Sequence, residues 1–271
     1  MKRIKIVVLL MAFAVVVSCS KSESTPTVNG IDPSTIAPIS GQFQKNVLIE
    51  DYTGAWCGWC PRVTYAIGLV ESQGLRAVPV AIHNGDPMAW GTSSTWPEPV
   101  SSFPTAKLNR ILDWNTPENS NIIQVKYLTG NNCGLGLAIN STITGSTVSI
   151  DVSAKFAIDY SNLKMVVYIA EDNISSTQTN YTSFFGGGSS IPNFDNDHVL
   201  RACLTNIHGE AITQTTTSGS TITRNFSIPV PSNVTNVANM NLVAFITDAN
   251  GTVINVRSSV AGQTQVFEQN Q

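Results

Sequence analysis

The sequence predicts an α/β domain followed by an antiparallel β-sandwich, both exported from the cytosol. Strand and helix signals alternate over residues 42–130, and from residue 131 short β-branched segments follow one another without a helix. A basic and then apolar N-terminus precedes both regions. The 271 residues supply enough apolar side chains for a core in each. With a formal net charge of −3 and only 12% charged residues, no strongly basic balance argues for nucleic acid. The abundance of Thr, Ser, Asn and Gly fits an exported, β-rich chain.

The N-terminal "MKRIKIVVLLMAFAVVVSCSKSES" carries Lys2, Arg3 and Lys5, then an apolar run from Ile6 to Val17. That run is too short to span a bilayer well, so residues 1–18 read as a signal peptide. "VVSC" resembles a bacterial lipobox, which implies that Cys19 is lipidated and becomes the mature N-terminus. Residues 19–41 are rich in Ser, Thr and Pro without an apolar period, and read as a flexible tether.

In the first domain, "NVLIEDYT" is an apolar run suited to a buried strand. "PRVTYAIGLVESQG" places Val63, Ile67 and Val70 at helical spacing, with Gly74 as its stop. "RAVPVAIH" is the next strand, its Pro79 marking an edge or an irregularity. A loop-rich insertion follows, then a strand in "FPTAKLNRIL" and a helix in "TPENSNIIQVKYL" opened by Thr116-Pro117-Glu118. This order predicts some parallel pairing.

Seven segments fill residues 131–271: "LGLAIN", "TVSIDVSAKFAI", "LKMVVYIAE", "HVLRACL", "STITRNFSIPV", "NLVAFITD" and "GTVINVRSS". Turn signals such as Asn250-Gly251 separate them, and the pattern resembles an immunoglobulin-like sandwich. "SSTQTNYTSFFGGGSSIPNF" reads as a long loop between two of them.

Chemistry concentrates in "GAWCGWCPR", residues 54–62. Zinc needs four ligands, but Cys133 and Cys203 are lone residues in the other region and His83, His198 and His208 are scattered, so the ligand count does not close. A structural clip spanning two residues constrains little of the unfolded chain. A redox pair fits the setting better. A strand ends at Asp51-Tyr52, a turn follows, and a helix starting near Cys57 or Gly58 would place Pro61 in its first turn. Unpaired N–H groups there favour a thiolate at Cys57.

"VLIEDYTGAWCGWC" resembles the active-site region of the thioredoxin family. The resemblance implies Cys57 as nucleophile, Cys60 as resolving thiol, and Asp51, six residues before the first cysteine, as proton partner of Cys60. It implies a cis-proline at Pro104 in "SSFPTAKLNR", facing the disulfide and docking substrate. Trp56 matches the family tryptophan, and with Trp59 and Phe103 would line a substrate groove. Trp59 replaces the proline common in thioredoxin, so the direction of exchange stays open. The whole chain resembles a family of outer-membrane-associated lipoproteins of Bacteroidetes with a thioredoxin-like domain before a β-sandwich. The lipobox, "VLIEDYTGAWCGWCP", "VAIHNGD", "FPTAKLNR" and "DHVLR" carry that likeness.

Two functions follow as expectations. One is a lipid-anchored thiol–disulfide oxidoreductase of the cell envelope, acting on exported proteins with an unidentified redox partner and no cofactor beyond the Cys57–Cys60 disulfide. The other is a surface lipoprotein whose sandwich binds a protein or glycan, with the first domain as platform. His83 either approaches the cysteines or is a satisfied loop histidine, and His198 is structural. Trp90, Trp96 and Trp114 either line a hydrophobic peptide groove or, as aromatics more commonly do, serve core and loop packing. Cys133 and Cys203 either pair or stay separate buried thiols.

Overall fold

The computed structural model describes residues 32–114 and 121–271. The signal peptide, Cys19, the start of the tether and the Thr116-Pro117-Glu118 helix opening lie outside the described residues.

Chain order begins with β1 (Phe43–Lys45), β2 (Val47–Thr53), α1 (Pro61–Ser72) and β3 (Ala77–His83). Helix α1 buries Val63, Ala66, Ile67 and Val70 on one side. It stops where Gly74 takes φ 64°. There the Gly74 N–H donates to Glu71 and the Leu75 N–H to Val70, a Schellman end. After the insertion come β4 (Thr105–Leu108), β5 (Leu112–Asp113) and α2 (Ile122–Leu128). "FPTAKLNRIL" is therefore a hairpin rather than one strand. Between paired Leu108 and Leu112, Asn109 and Arg110 take φ 51° and 61°, and the Ile111 N–H donates to Leu108 O at 3.1 Å.

The chain continues through β6 (Gly130–Cys133), β7 (Leu135–Thr144), β8 (Thr147–Phe156) and β9 (Lys164–Glu171). Then follow β10 (Ile174–Thr179), β11 (Ser190–Asn196), β12 (Val199–Cys203) and β13 (Glu210–Ala211). The last are β14 (Thr221–Pro229), β15 (Met240–Thr247) and β16 (Val253–Val260). The protein is mostly β, with two short α-helices among the described residues. All seven predicted segments form strands. The stretch read as a long loop instead forms most of the antiparallel hairpin β10–β11.

The expected division at residue 130 does not separate two sheets. One sheet runs β16-β15-β9-β12-β3-β2-β4-β5, with β13 also on β9, and so takes strands from both regions. Its junction is short: β12 lies parallel to β3, with Val199 opposite Ala81. Ala81 N–H donates to His198 O at 2.8 Å. Pro79, two residues earlier, lacks an N–H and sits where no strand pairs on that edge, which accounts for a proline inside the sheet. The other seven-segment strands, β7, β8 and β14, form a separate three-stranded sheet.

Strand alternation divides the large sheet into two faces. Leu48, Tyr52, Val80, Tyr168, Val243 and Phe245 share one apolar cluster roofed by Trp96 of the insertion. On the opposite face, Val47 and Ile49 meet α1 and α2. On that same opposite face, Val167, Ile169, Leu242 and Ala244 meet Val148, Ile150 and Val152 of β8. Trp114 packs under the helices and Trp90 against the insertion cluster, so none of these three tryptophans opens a groove.

A buried ion pair of the first region reaches across the former boundary through Tyr168 and Ile207. Arg110 donates to both oxygens of Glu50, at 2.9 Å from Nη2 to Oε1. Tyr168 of β9 donates to Glu50 at 3.0 Å, and Arg110 Nη1 reaches Ile207 O at 2.8 Å. The Arg110 guanidinium also lies 4.7 Å from the Phe245 ring centroid. Burial works against its charge, but the Glu50 carboxylate outweighs this and raises its pKa. Breaking such a pair strands a charge, so Arg110→Met is expected to cost about 3–5 kcal/mol in urea unfolding. Adding Glu50→Leu should recover part of that loss. A single mutant within about 1 kcal/mol of wild type would show that the pair does not join the halves.

Candidate functional site

The site forms where β2 ends and α1 begins. Cys57 N–H donates to Gly54 O at 2.9 Å and Cys60 N–H to Cys57 O at 3.3 Å, winding a turn into the helix. Cys60 is the N-cap of α1 and Pro61 its first residue, where a missing N–H costs nothing. The helix thus starts later than expected, and its positive end lies at Cys60 rather than Cys57. Cys57 and Cys60 form a disulfide.

The register puts Pro104 close by. Thr105 of β4 pairs with Tyr52 of β2, so Pro104 stands level with the end of β2, and the Phe103–Pro104 peptide is cis. Phe103 packs on Trp56 with ring centroids 5.3 Å apart. Trp56 donates from Nε1 to Asn84 O at 2.6 Å. Trp56 and Trp59 stay 48% and 51% exposed, so they flank the pair as an open apolar rim.

The disulfide itself is covered. Cys57 is 4% exposed and Cys60 1%. The cover is the strap 178–181 at the end of β10. Thr179 N–H donates to Ala55 O at 2.8 Å and Tyr181 N–H to Gly58 O at 2.7 Å. Gln178 donates from Nε2 to Cys57 O at 2.9 Å. The Tyr181 ring lies over Gly58 so closely that a Cβ there would collide with it, and its edge meets Trp59 at 5.9 Å. The aromatic residues inside the polar "TNYTSFF" were the available signal for this cover, but nothing local to that stretch names its partner.

Asp51 sits on the helix face of β2, 2% exposed, with Oδ1 buried and without a hydrogen-bond partner. Burial raises its pKa to about 8. His83 does not reach the pair as a free group: its Nδ1 lies 2.8 Å from Asp86, which also accepts the Ala55 N–H at 2.8 Å. Burial pulls the Asp86 pKa up, yet the His83 and backbone hydrogen bonds leave it lowered. Asp86 therefore fixes the cysteine turn, a role the sequence reading missed. Cys133 and Cys203 are both free, in different clusters. Among the described residues no group of side chains is arranged to hold a metal ion.

Residues 95–265, more than half of the chain, match the model of the family described as outer membrane protein Omp28. The chain belongs to the Omp28 family. Membership places it at the outer membrane or cell envelope. The family match begins beyond the cysteine pair of this Omp28 protein. Among solved structures, HBP35 of Porphyromonas gingivalis is similar at a TM-score of 0.61 and 17% identity, over 86% of this chain and 80% of that one. That is a likeness of fold. A β-glucosidase from Kluyveromyces marxianus overlaps 50% of this chain and 15% of its own, at 12% identity and a TM-score of 0.23, and carries no argument. No curated protein matches the sequence.

Two outcomes are expected for this Omp28 protein. Asp51 holds its proton more tightly folded than unfolded, so its contribution to stability is present at low pH and lost as pH rises from about 4 towards 8. Between about pH 5 and 7.5, wild-type stability should fall relative to Asp51→Asn by about 1.4 kcal/mol per pH unit in urea titrations. Parallel pH profiles would contradict the buried acid. Tyr181→Ala removes an aromatic contact of about 1 kcal/mol from the strap. Phosphine reduction of the disulfide should then accelerate severalfold, up to about tenfold, and an unchanged rate would mean that the strap does not limit access.

Proposed function

We propose that the chain is a lipid-anchored thiol–disulfide oxidoreductase of the outer membrane, with a thioredoxin-like site on an immunoglobulin-like set of strands. The observation that carries this reading is the Cys57–Cys60 disulfide at the start of α1, following the strand that holds buried Asp51 and that pairs with the strand after Pro104. In the reducing direction, the Cys57 thiolate attacks a substrate disulfide and forms a mixed disulfide, releasing one substrate thiolate. Asp51 in its ionised form takes the Cys60 proton, and the Cys60 thiolate attacks the Cys57 sulfur. The second substrate thiolate leaves, and Cys57–Cys60 is oxidised. A redox partner then restores the dithiol, and the reverse sequence oxidises substrate thiols. Trp56, Trp59 and Phe103 offer apolar contact to an extended client, whose backbone pairs beside Pro104.

The burial of Cys57 under the strap favours a second reading, a surface lipoprotein that binds a protein or glycan partner on a structural platform. Insulin reduction separates the two. Turnover lost in Cys57→Ser, with mixed disulfides trapped by Cys60→Ser, supports exchange. Inactivity of both wild type and Tyr181→Ala supports the platform. Anchoring through Cys19 is checked by Cys19→Ala, which should abolish lipid labelling and membrane retention.

A further inference from the structure

A cavity of about 590 Å³ lies between α1, β3 and the hairpin β10–β11. Its size suits a small organic molecule. Asp51 stands in its lining with Oδ1 unpartnered. Thiol exchange gives Asp51 a proton to move, but it does not account for an open chamber beside it. Tyr65, Phe185 and Phe194 line the same space. Phe185 meets Tyr65 at 6.2 Å and Phe194 at 5.1 Å, both edge-on, so the three rings form one aromatic wall.

The charges that face this space come from every element around it. Helix α1 contributes Glu71, and the stretch after β10 contributes Asp195 and Asp197. His83 comes from β3 and is engaged by Asp86. His198 is held by Glu71 at 3.2 Å and Asp172 at 3.4 Å. Carboxylates therefore exceed cations, and the two histidines are already engaged. An acidic rim concentrates cations and repels anions. Aromatic faces attract an ammonium group. An unpaired buried carboxyl is costly until a donor reaches it.

We propose that this cavity binds a small organic cation, a primary ammonium on an apolar body, with the ammonium on Asp51 and the body against Tyr65, Phe185 and Phe194. Binding displaces the Asp51 proton to solvent, since the ammonium pairs with the carboxylate. The site goes beyond the exchange reaction and stands or falls separately from it.

Calorimetry on the whole chain tests this with phenethylammonium, phenethyl alcohol and phenylacetate as probes. Saturable phenethylammonium binding is expected, with about one proton released at pH 7 when buffers of different ionisation enthalpy are compared. The alcohol and the acid should bind at least about tenfold more weakly, and Asp51→Asn should weaken the ammonium by about tenfold or more. The proposal is overturned if wild type does not bind phenethylammonium, if the alcohol binds as well, or if Asp51→Asn changes nothing. Should Asp51→Asn fail to fold, the ¹³C resonance of the Asp51 carboxyl in wild type decides. A saturating shift with phenethylammonium supports the site, and an unmoved resonance refutes it.

Discussion

The Glu50–Arg110 ion pair is the contact on which the arrangement of the large sheet depends. Glu50 lies on β2, Arg110 in the turn after β4, and both meet Tyr168 of β9. Within the large sheet the strands of the two regions pair only through the short parallel contact of β12 with β3, beside backbone hydrogen bonds such as Val253 N–H to Asn109 O at 3.1 Å. The charged cluster adds a side-chain tie across that narrow seam, and the apolar face containing Tyr52, Tyr168 and Phe245 closes around it. Two adjacent carboxylates on β2 thereby meet opposite fates. Alternation turns Glu50 to the face where a guanidinium waits, and turns Asp51 to the face where no cation reaches it. One acid is neutralised by its partner; the other keeps its proton.

The hairpin β10–β11 shapes whatever chemistry the cysteines perform. Its strap hydrogen-bonds to the backbone of Ala55, Cys57 and Gly58, and its aromatic residues lean on α1 through Tyr65 and Phe184, stacked at 4.6 Å. The same element roofs the disulfide and walls the cavity beside Asp51. Access to sulfur and access to the cavity are therefore both governed by one hairpin. Opening it exposes aromatic surface and breaks backbone hydrogen bonds, so the covered state is the resting one.

Much of the local structure was legible in the sequence. The apolar start of β2, the glycine stop of α1, the cysteine pair before Pro61 and the seven β-branched strands all depend on signals within a few residues. Periodicity and turn chemistry act over that range, so they report an element's existence and its buried face. The start of α1 was placed too early because Cys57 and Cys60 are equally compatible with a helical first turn. The strap was missed because polar residues around Tyr181 look like a loop until a partner strand is supplied.

By itself the sequence determined most of the elements and the position of the cysteine pair, and set the expectation of export. Tertiary structure alone decided that β9, β12, β15 and β16 extend the first region's sheet while β7, β8 and β14 form another. It also decided that Arg110 meets Glu50, that Asp51 Oδ1 finds no hydrogen-bond partner, that Cys133 and Cys203 stay apart, and that Cys57 is covered. The physical reason is that a strand's pattern specifies which face is apolar but not which neighbour accepts its edge. That neighbour is set by packing between residues far apart in the chain.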